Sequence, residues 1–163
     1  MPDVADVVRP VVYDSWRRSR LQGLNPERVT PAYRPDTDLD SQLTAITTTI
    51  VERRRAALDQ AMSSLSLTDG EGRMLRRWAP DASLASRLDA LDVVPGFIVD
   101  ESTIGTSSVI SVLSGAPVLV RGPEHFAAGF HQLTCAGAPI FHPLTRRVIG
   151  SLCLLYTSDA ADE

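Results

Sequence analysis

The densest group of reactive side chains in the sequence is Glu124-His125-Phe126, followed by His131 and Cys135. As a metal site its spacing is neither His-Glu-x-x-His nor a paired-cysteine knuckle. As a nucleophilic centre, Cys135 would need His131 as its base and a carboxylate to orient that base. Four residues apart they would meet on a helix, but Cys135 lies in a strand-like run, and a buried structural thiol is the favoured reading. Haem ligation by His125 or His131 stays open, with nothing to single out either nitrogen. Upstream, Gly105-Thr106-Ser107-Ser108 opens a helix whose free N–H groups could hold an anion or a polar ligand. Ser and Thr are equally the residues that cap a helix, and capping is the favoured role. Glu101 could accept hydrogen bonds from a ligand or pin its own loop. Arg53-Arg54-Arg55 and Arg76-Arg77 read as solvated faces. There is no G-x-x-x-x-G-K-[ST], no Gly-rich dinucleotide turn and no G-x-S-x-G. On this chemistry the chain is expected to be a binding module and not an enzyme, with no catalytic residue, metal ligand or cofactor.

The elements that must position these residues follow from periodicity. Residues 9–23 read as a short amphipathic helix with Pro10 in its first turn, Val12, Trp16 and Leu21 on one face, and Gly23 at its end. Pro26, Pro31 and Pro35 mark 24–37 as an irregular connector. A longer helix is expected over 38–63, because Leu39, Leu43, Ile46 and Ile50 recur at alternating spacings of four and three. Arg53 breaks that stripe. A two-helix dimer seam is one use for the stripe, and packing on the chain's own sheet is the favoured one. SLSLTD and RMLRRW around Asp69-Gly70-Glu71-Gly72 form a hairpin. Asp81 then caps a helix carrying Leu84, Leu88 and Leu91, which ends before Pro95-Gly96. A short helix over 105–114 closes at Gly115, and 117–121, 133–141 and a run from 146 read as strands. This order makes an α+β fold, an antiparallel sheet with helices on its faces.

Composition sets the outer bounds. The chain has 163 residues, 44% of them hydrophobic and 22% charged, which is the make-up of one soluble globular domain and excludes a disordered, collagen-like or coiled-coil chain. No apolar run approaches the roughly 20 residues a bilayer demands. The acidic N-terminus lacks the basic and apolar regions of a signal peptide, so the cytoplasm is the expected compartment and no membrane partner is expected. All 16 basic residues are Arg, and the net charge of −4 argues against a nucleic-acid surface on this segment.

The last stretch, CLLYTSDAADE at 153–163, resembles one translated reading frame of a transposase adapter used in sequencing libraries. On that resemblance the natural sequence is expected to run to Leu152, as the front of a longer protein. Without Asp159, Asp162 and Glu163 the acids fall from 20 to 17 against 16 Arg, the charge becomes −1, and Cys135 is the one native thiol.

Several ordered motifs resemble a known family. YDSWRRSRLQGLNP at 13–26 is similar to the S-W-x-R-S-x-x-x-G-L-x-P opening of bacterial regulators of the acetoin-catabolism-activator type. Leu67-Thr68-Asp69 with Gly72 and Leu75 resembles the hairpin that starts their GAF sensor domain. Gly96, Glu101 and Ile104-Gly105-Thr106 resemble G-x-x-W-x-E-x-x-x-G-T-N, with Phe97-Ile98-Val99 filling the Trp loop and Ser107 in place of Asn. PVLVRGPEHF at 117–126 and LTCAGAPIFHPLTRRVIGSL at 133–152 are similar to P-V-x-V-x-G-x-E-H-F and T-C-A-A-A-P-I-x-D-P-x-T-G-x-x-x-G, with Gly137 for Ala and His142 for Asp.

The resemblance implies a GAF-like antiparallel sheet flanked by helices over 38–152, preceded by an N-terminal helix and Pro-rich connector at 1–37. It implies a ligand-sensing domain of a one-component transcription regulator. A small molecule would bind between the sheet and the 96–131 segment, with contacts drawn from Phe97, Glu101, Thr106, Ser107, Glu124, His125, Phe126 and Cys135. The helix at 38–63 would relay binding to a homodimer partner or to an output domain outside these residues. That output is a sigma-54-contacting ATPase with a Fis-type helix-turn-helix, or the helix-turn-helix alone, so DNA is touched only there. The alternatives are a sensory module of a histidine kinase or cyclic-dinucleotide enzyme, and a cysteine-based GAF-fold methionine sulfoxide reductase, which normally needs a resolving thiol. Substitution of Glu101 or His125 is expected to alter ligand response without unfolding the domain.

Overall fold

In the computed structural model, which describes residues 8–157, Pro10 opens the first helix, α1 (Pro10–Leu21), at a position whose N–H would have no intrahelical partner. Its inward face is Val12, Ser15 and Ser19, with Trp16 half-buried. Leu21 stands outside that face, 84% exposed. Ser15 takes an inward position because the surface opposite it is polar, as shown below, and Ser19 satisfies its hydroxyl on Ser15 O at 2.9 Å. The connector that follows is irregular but tied down: Ile98 N donates to Ala32 O at 2.9 Å, and Arg34 N to Gly96 O at 2.7 Å.

The helix expected over 38–63 is two helices, α2 (Gln42–Glu52) and α3 (Arg55–Gln60). Ser41 starts α2 by accepting from Thr44 N at 3.2 Å. The break falls at Arg53-Arg54, where the apolar stripe ends and three adjacent guanidiniums favour solvent. Leu43 of the stripe meets the sheet, but its later half faces the other way from the favoured expectation. Ile46 and Ile50 are 54% and 56% exposed, while Thr44, Thr47 and Val51 are buried. The smaller Thr side chains let α2 lie close on the sheet, where a Leu43 methyl is 3.0 Å from the place a Cβ at Gly150 would take.

Five antiparallel strands follow: β1 (Ser64–Asp69), β2 (Met74–Trp78), β3 (Val118–Arg121), β4 (Leu133–Phe141) and β5 (Val148–Thr157). Their order is β2-β1-β5-β4-β3, so β5 is central and pairs on both sides. The β1–β2 turn is held by Asp69, whose Oδ1 accepts from Glu71 N and Arg73 N at 2.9 Å. Alternation sorts the strands' side chains. Ser66, Cys135, Cys153 and Leu155 face the helices of the long β2–β3 crossover, and Leu67 and Gly150 face α2. Cys153–Thr157, the described part of the adapter-like stretch, is the outer half of β5, and the remaining tail lies outside the described residues.

The crossover supplies the cover. Asp81 caps α4 (Ala82–Ala90) by accepting from Leu84 N at 2.6 Å, and Leu84 and Leu88 enter the core with Met74, Val99, Phe130 and Leu133. The helix expected over 105–114 starts earlier and is interrupted. Asp100 caps α5 (Glu101–Ile104), a 3-10 turn spans Ser108–Ile110, and α6 (Ser111–Ser114) closes at left-handed Gly115. The interruption is Gly105, at φ 73° and ψ −151°, a region essentially reserved for glycine. A Cβ there would also sit 2.6 Å from the Phe126 side chain. The α+β expectation, an antiparallel sheet flanked by helices behind an N-terminal helical segment, is the fold observed. Among the described residues no helix is long and apolar enough to cross a membrane.

Candidate functional site

Between the inner face of the sheet and the crossover lies a cavity of about 20 Å³. Val99, Ile104, Ser107, Ser108, Phe130 and Cys135 form much of its wall, and no Asp, Glu, Arg or His borders it. Burial pushes the Cys135 thiol far above its ordinary pKa, which keeps it protonated and a poor nucleophile. That environment weighs against sulfoxide-reductase chemistry. Gly137 on β4 brings the wall in close, because a Cβ there would overlap the Ser108 carbonyl.

The outer side of the same wall is the seat of α1. Arg18 Nε and Nη2 donate to the two Glu101 oxygens, each at 2.8 Å, a bidentate pair whose carboxylate is 5% exposed. Ser15 Oγ donates to the same carboxylate and lies 2.7 Å from Thr106 Oγ1. Trp16 Nε1 donates to Glu124 O at 2.8 Å. Arg9 pairs with the Glu124 carboxylate at 2.6 Å and donates to Leu119 O. Val11 packs on Ile110, Val118 and Val120. Ser15, Trp16 and Arg18 of the S-W-x-R-S motif are thus the docking face of a helix, with partners from the crossover (Glu101, Thr106) and from the turn after β3 (Glu124).

The eight residues singled out in the sequence are distributed over this wall and beyond it. Ser107 and Cys135 border the cavity, and Ser107 also accepts from Val109 N at 3.3 Å as a cap. Glu101, Thr106 and Glu124 point to α1. Glu124 further accepts from Arg121 N at 2.8 Å. Phe97 lies away from the cavity against Tyr33, ring centres 5.2 Å apart, and seals the connector. His125 and Phe126 border a groove of about 210 Å³ beneath Trp16 and Arg20. His125 is buried. Its Nδ1 is 3.0 Å from Gly122 O, and burial pushes its pKa down to about 4. His131 Nε2 lies 3.2 Å from His125 O. Among the described residues no three His, Cys, Asp or Glu converge as a metal site.

Sequence reasoning placed Ser108 only in a helix start that could hold a polar ligand, and missed Val99, Ile104 and Phe130 at the cavity, and Ser15 and Arg18 at the seat. The available signal was Ser15 and Ser19 one helical turn apart beside Trp16, a polar stripe where an amphipathic helix turns inward.

The family model described as MimR, N-terminal domain, matches residues 3–163. The propane 2-monooxygenase operon transcriptional activator MimR of Mycolicibacterium goodii is 34% identical over 158 residues, covering 96% of this chain and 27% of that protein. The protein of the same name in Mycolicibacterium smegmatis gives the same identity and coverage. The chain therefore spans about a quarter of the length of these relatives, both of which are named as transcriptional activators. Among solved structures, the E. coli DhaR(N)–DhaL complex contains a chain that superposes with a TM-score of 0.76 at 20% identity, over 93% of this chain and 53% of that one, a likeness of fold. The chain belongs to the MimR N-terminal domain family.

Proposed function

We propose that this chain is the ligand-sensing domain of a one-component transcriptional activator. It binds a small effector in the cavity between the sheet and the crossover, and relays binding to an output domain outside these residues. The output is an ATPase contacting sigma-54, a DNA-binding helix-turn-helix, or both, and DNA is contacted only there. The observation that carries this reading is the shared wall. Ile104, Ser107 and Ser108 border the cavity, while Glu101 and Thr106 of the same segment hold α1. An effector that binds better when the wall is displaced shifts the population toward a differently seated α1, by no more than its difference in affinity for the two states. The relatives' name points to control of an operon for oxidising a small hydrocarbon, and we infer a target of that kind here.

The test is a reporter assay in cells carrying the full-length regulator with Val99→Phe, which fills the cavity. Induction is expected to fall at least tenfold while promoter binding is retained. Unchanged induction by a folded variant removes the cavity from the mechanism.

We further propose a homodimer through the exposed face of α2. Ile46 and Ile50 lie between acidic Asp36, Asp38 and Asp40 at one end and Arg53-Arg54-Arg55 at the other. Two copies related by a two-fold axis, helices antiparallel, set each acidic end against the partner's basic end. Ile50→Glu is expected to convert a dimer to a monomer in light scattering after size exclusion. A parent that already runs as a monomer at tens of micromolar overturns the dimer.

A further inference from the structure

The groove beneath α1 is a concave space apart from the cavity. Trp16 and Arg20 of α1 form one side of it, Pro123, Phe126 and His131 form the other, and His125 also borders it. The Trp16 ring is set before anything binds, because its Nε1 donates to Glu124 O at 2.8 Å. Charge in the groove is one-sided. Arg20 is exposed and forms no ion pair with any described residue, and no Asp or Glu borders the groove. Glu124 lies in the same turn, but its carboxylate is taken by Arg9 and by Arg121 N. A guanidinium beside aromatic and proline faces suits a planar anion, whose carboxylate takes the two-pronged contact while its ring stacks.

His125 adds a second, independent observation. The residue is 1% exposed, its Nδ1 is committed to Gly122 O, and its Nε2 has no partner among the described residues. Buried polar atoms are seldom left so, and a hydroxyl on an occupant supplies the missing donor. The same ring stacks on Phe130 of the cavity wall, so this pair of rings separates groove from cavity. Size completes the description. The groove is about 210 Å³, below the roughly 300 Å³ at which drug-sized pockets begin, so its occupant is a single ring.

We propose that the groove is a second binding site, for a monocyclic aromatic hydroxycarboxylate. Arg20 pairs with the carboxylate, Trp16 and Phe126 flank the ring, and His125 accepts from the hydroxyl. Arg20 and Trp16 belong to α1 and the other contacts to the body of the domain, so an occupant fastens α1 to its seat.

The experiment is a titration of the ¹⁵N-labelled chain at pH 7.5 with benzoate, the three hydroxybenzoates, benzyl alcohol and acetate, following the Trp16 indole N–H and the amides of 125–131. The hydroxybenzoates are expected to shift these signals to saturation, with the preferred isomer about tenfold tighter than benzoate, the worth of one buried hydrogen bond. Acetate, which lacks the ring, and benzyl alcohol, which lacks the charge, are each expected to bind roughly tenfold more weakly than benzoate. Arg20→Gln is expected to weaken benzoate by roughly tenfold and leave benzyl alcohol unchanged. Arg17→Gln, on the same helix but outside the groove, leaves both unchanged. At one concentration the preferred isomer should raise the Tm of the parent more than that of Arg20→Gln. Acetate matching benzoate, equal losses in the two Arg variants, or no saturable shift around the groove each overturn the site. Hydroxybenzoates no tighter than benzoate remove His125 from it and overturn the assigned class. Val99→Phe tests the cavity through induction, so none of these results bears on that reading.

Discussion

Replacing Arg18 with Ala is expected to destabilise the domain by about 2–3 kcal/mol, a drop in Tm of roughly 4–12 °C for a chain of this size. The reason lies with the residue left behind. Glu101 is 5% exposed, and its two oxygens accept from Arg18 Nε, Arg18 Nη2 and Ser15 Oγ. Truncating Arg18 leaves a buried carboxylate with one hydroxyl donor. Removing one partner of a fully buried pair costs about 3–5 kcal/mol, and the cost here falls at or below the bottom of that range because Arg18 itself is 46% exposed and water can reach the gap. Glu101→Gln is expected to be milder, since the freed guanidinium turns to solvent. Arg18→Lys should recover less than half of the loss, because an ammonium cannot make the two-pronged contact. Melting followed by circular dichroism checks the series. A parent-like Tm for Arg18→Ala would mean that the ion pair does not hold α1.

The second large effect is with pH. His125 is buried against Phe130, ring centres 5.9 Å apart, and among its neighbours His131 opposes a positive charge while Glu124 favours one. Burial is the largest influence and pushes the pKa from 6.5 down to about 4. Among the described residues its Nε2 has no hydrogen-bond partner, which suits the neutral ring with the proton on Nδ1, donated to Gly122 O. As pH falls below 6.5 the unfolded chain takes up a proton that the folded chain refuses until about pH 4. The contribution of neutral His125 is thus complete above pH 6.5 and is lost between 6.5 and 4. Urea unfolding at pH 7.5 and 4.5 should show the parent losing about 2–3 kcal/mol more than His125→Gln over that interval. Equal losses in the two proteins would place a water or a charge partner beside the ring.

Both effects differ from what residue types alone suggest for Glu101 and His125, and the difference shows what a single sequence encodes legibly. Local signals are strong: the Asp81 cap, the Asp69 turn, Pro10 and Gly115 all act where they stand, because each is satisfied within a few residues. Periodicity says which residues share a face but not which face is inward, so Ile46 and Ile50 lie outside and Thr44 and Thr47 inside. The chemistry of Glu101 depends on Ser15, 86 residues upstream, and on Arg18, 83 residues upstream. No spacing rule connects them. The cavity is harder still, since Val99, Ile104 and Phe130 are ordinary core types whose arrangement emerges only in the assembled fold.

The wall between cavity and α1 serves both sides within a few residues, with Glu101 and Thr106 turned to the helix and Ser107 and Ser108 to the interior. On the proposed function, neighbouring codons address separate tasks: a change at 107 or 108 would retune which molecule is admitted, and a change at 101 or 106 how strongly admission is felt by the rest of the protein. A duplicated gene could drift toward a new inducer while its inherited wiring stays intact, or gain sensitivity without losing its inducer. Lineages carrying this domain should then show the two sets of positions varying independently.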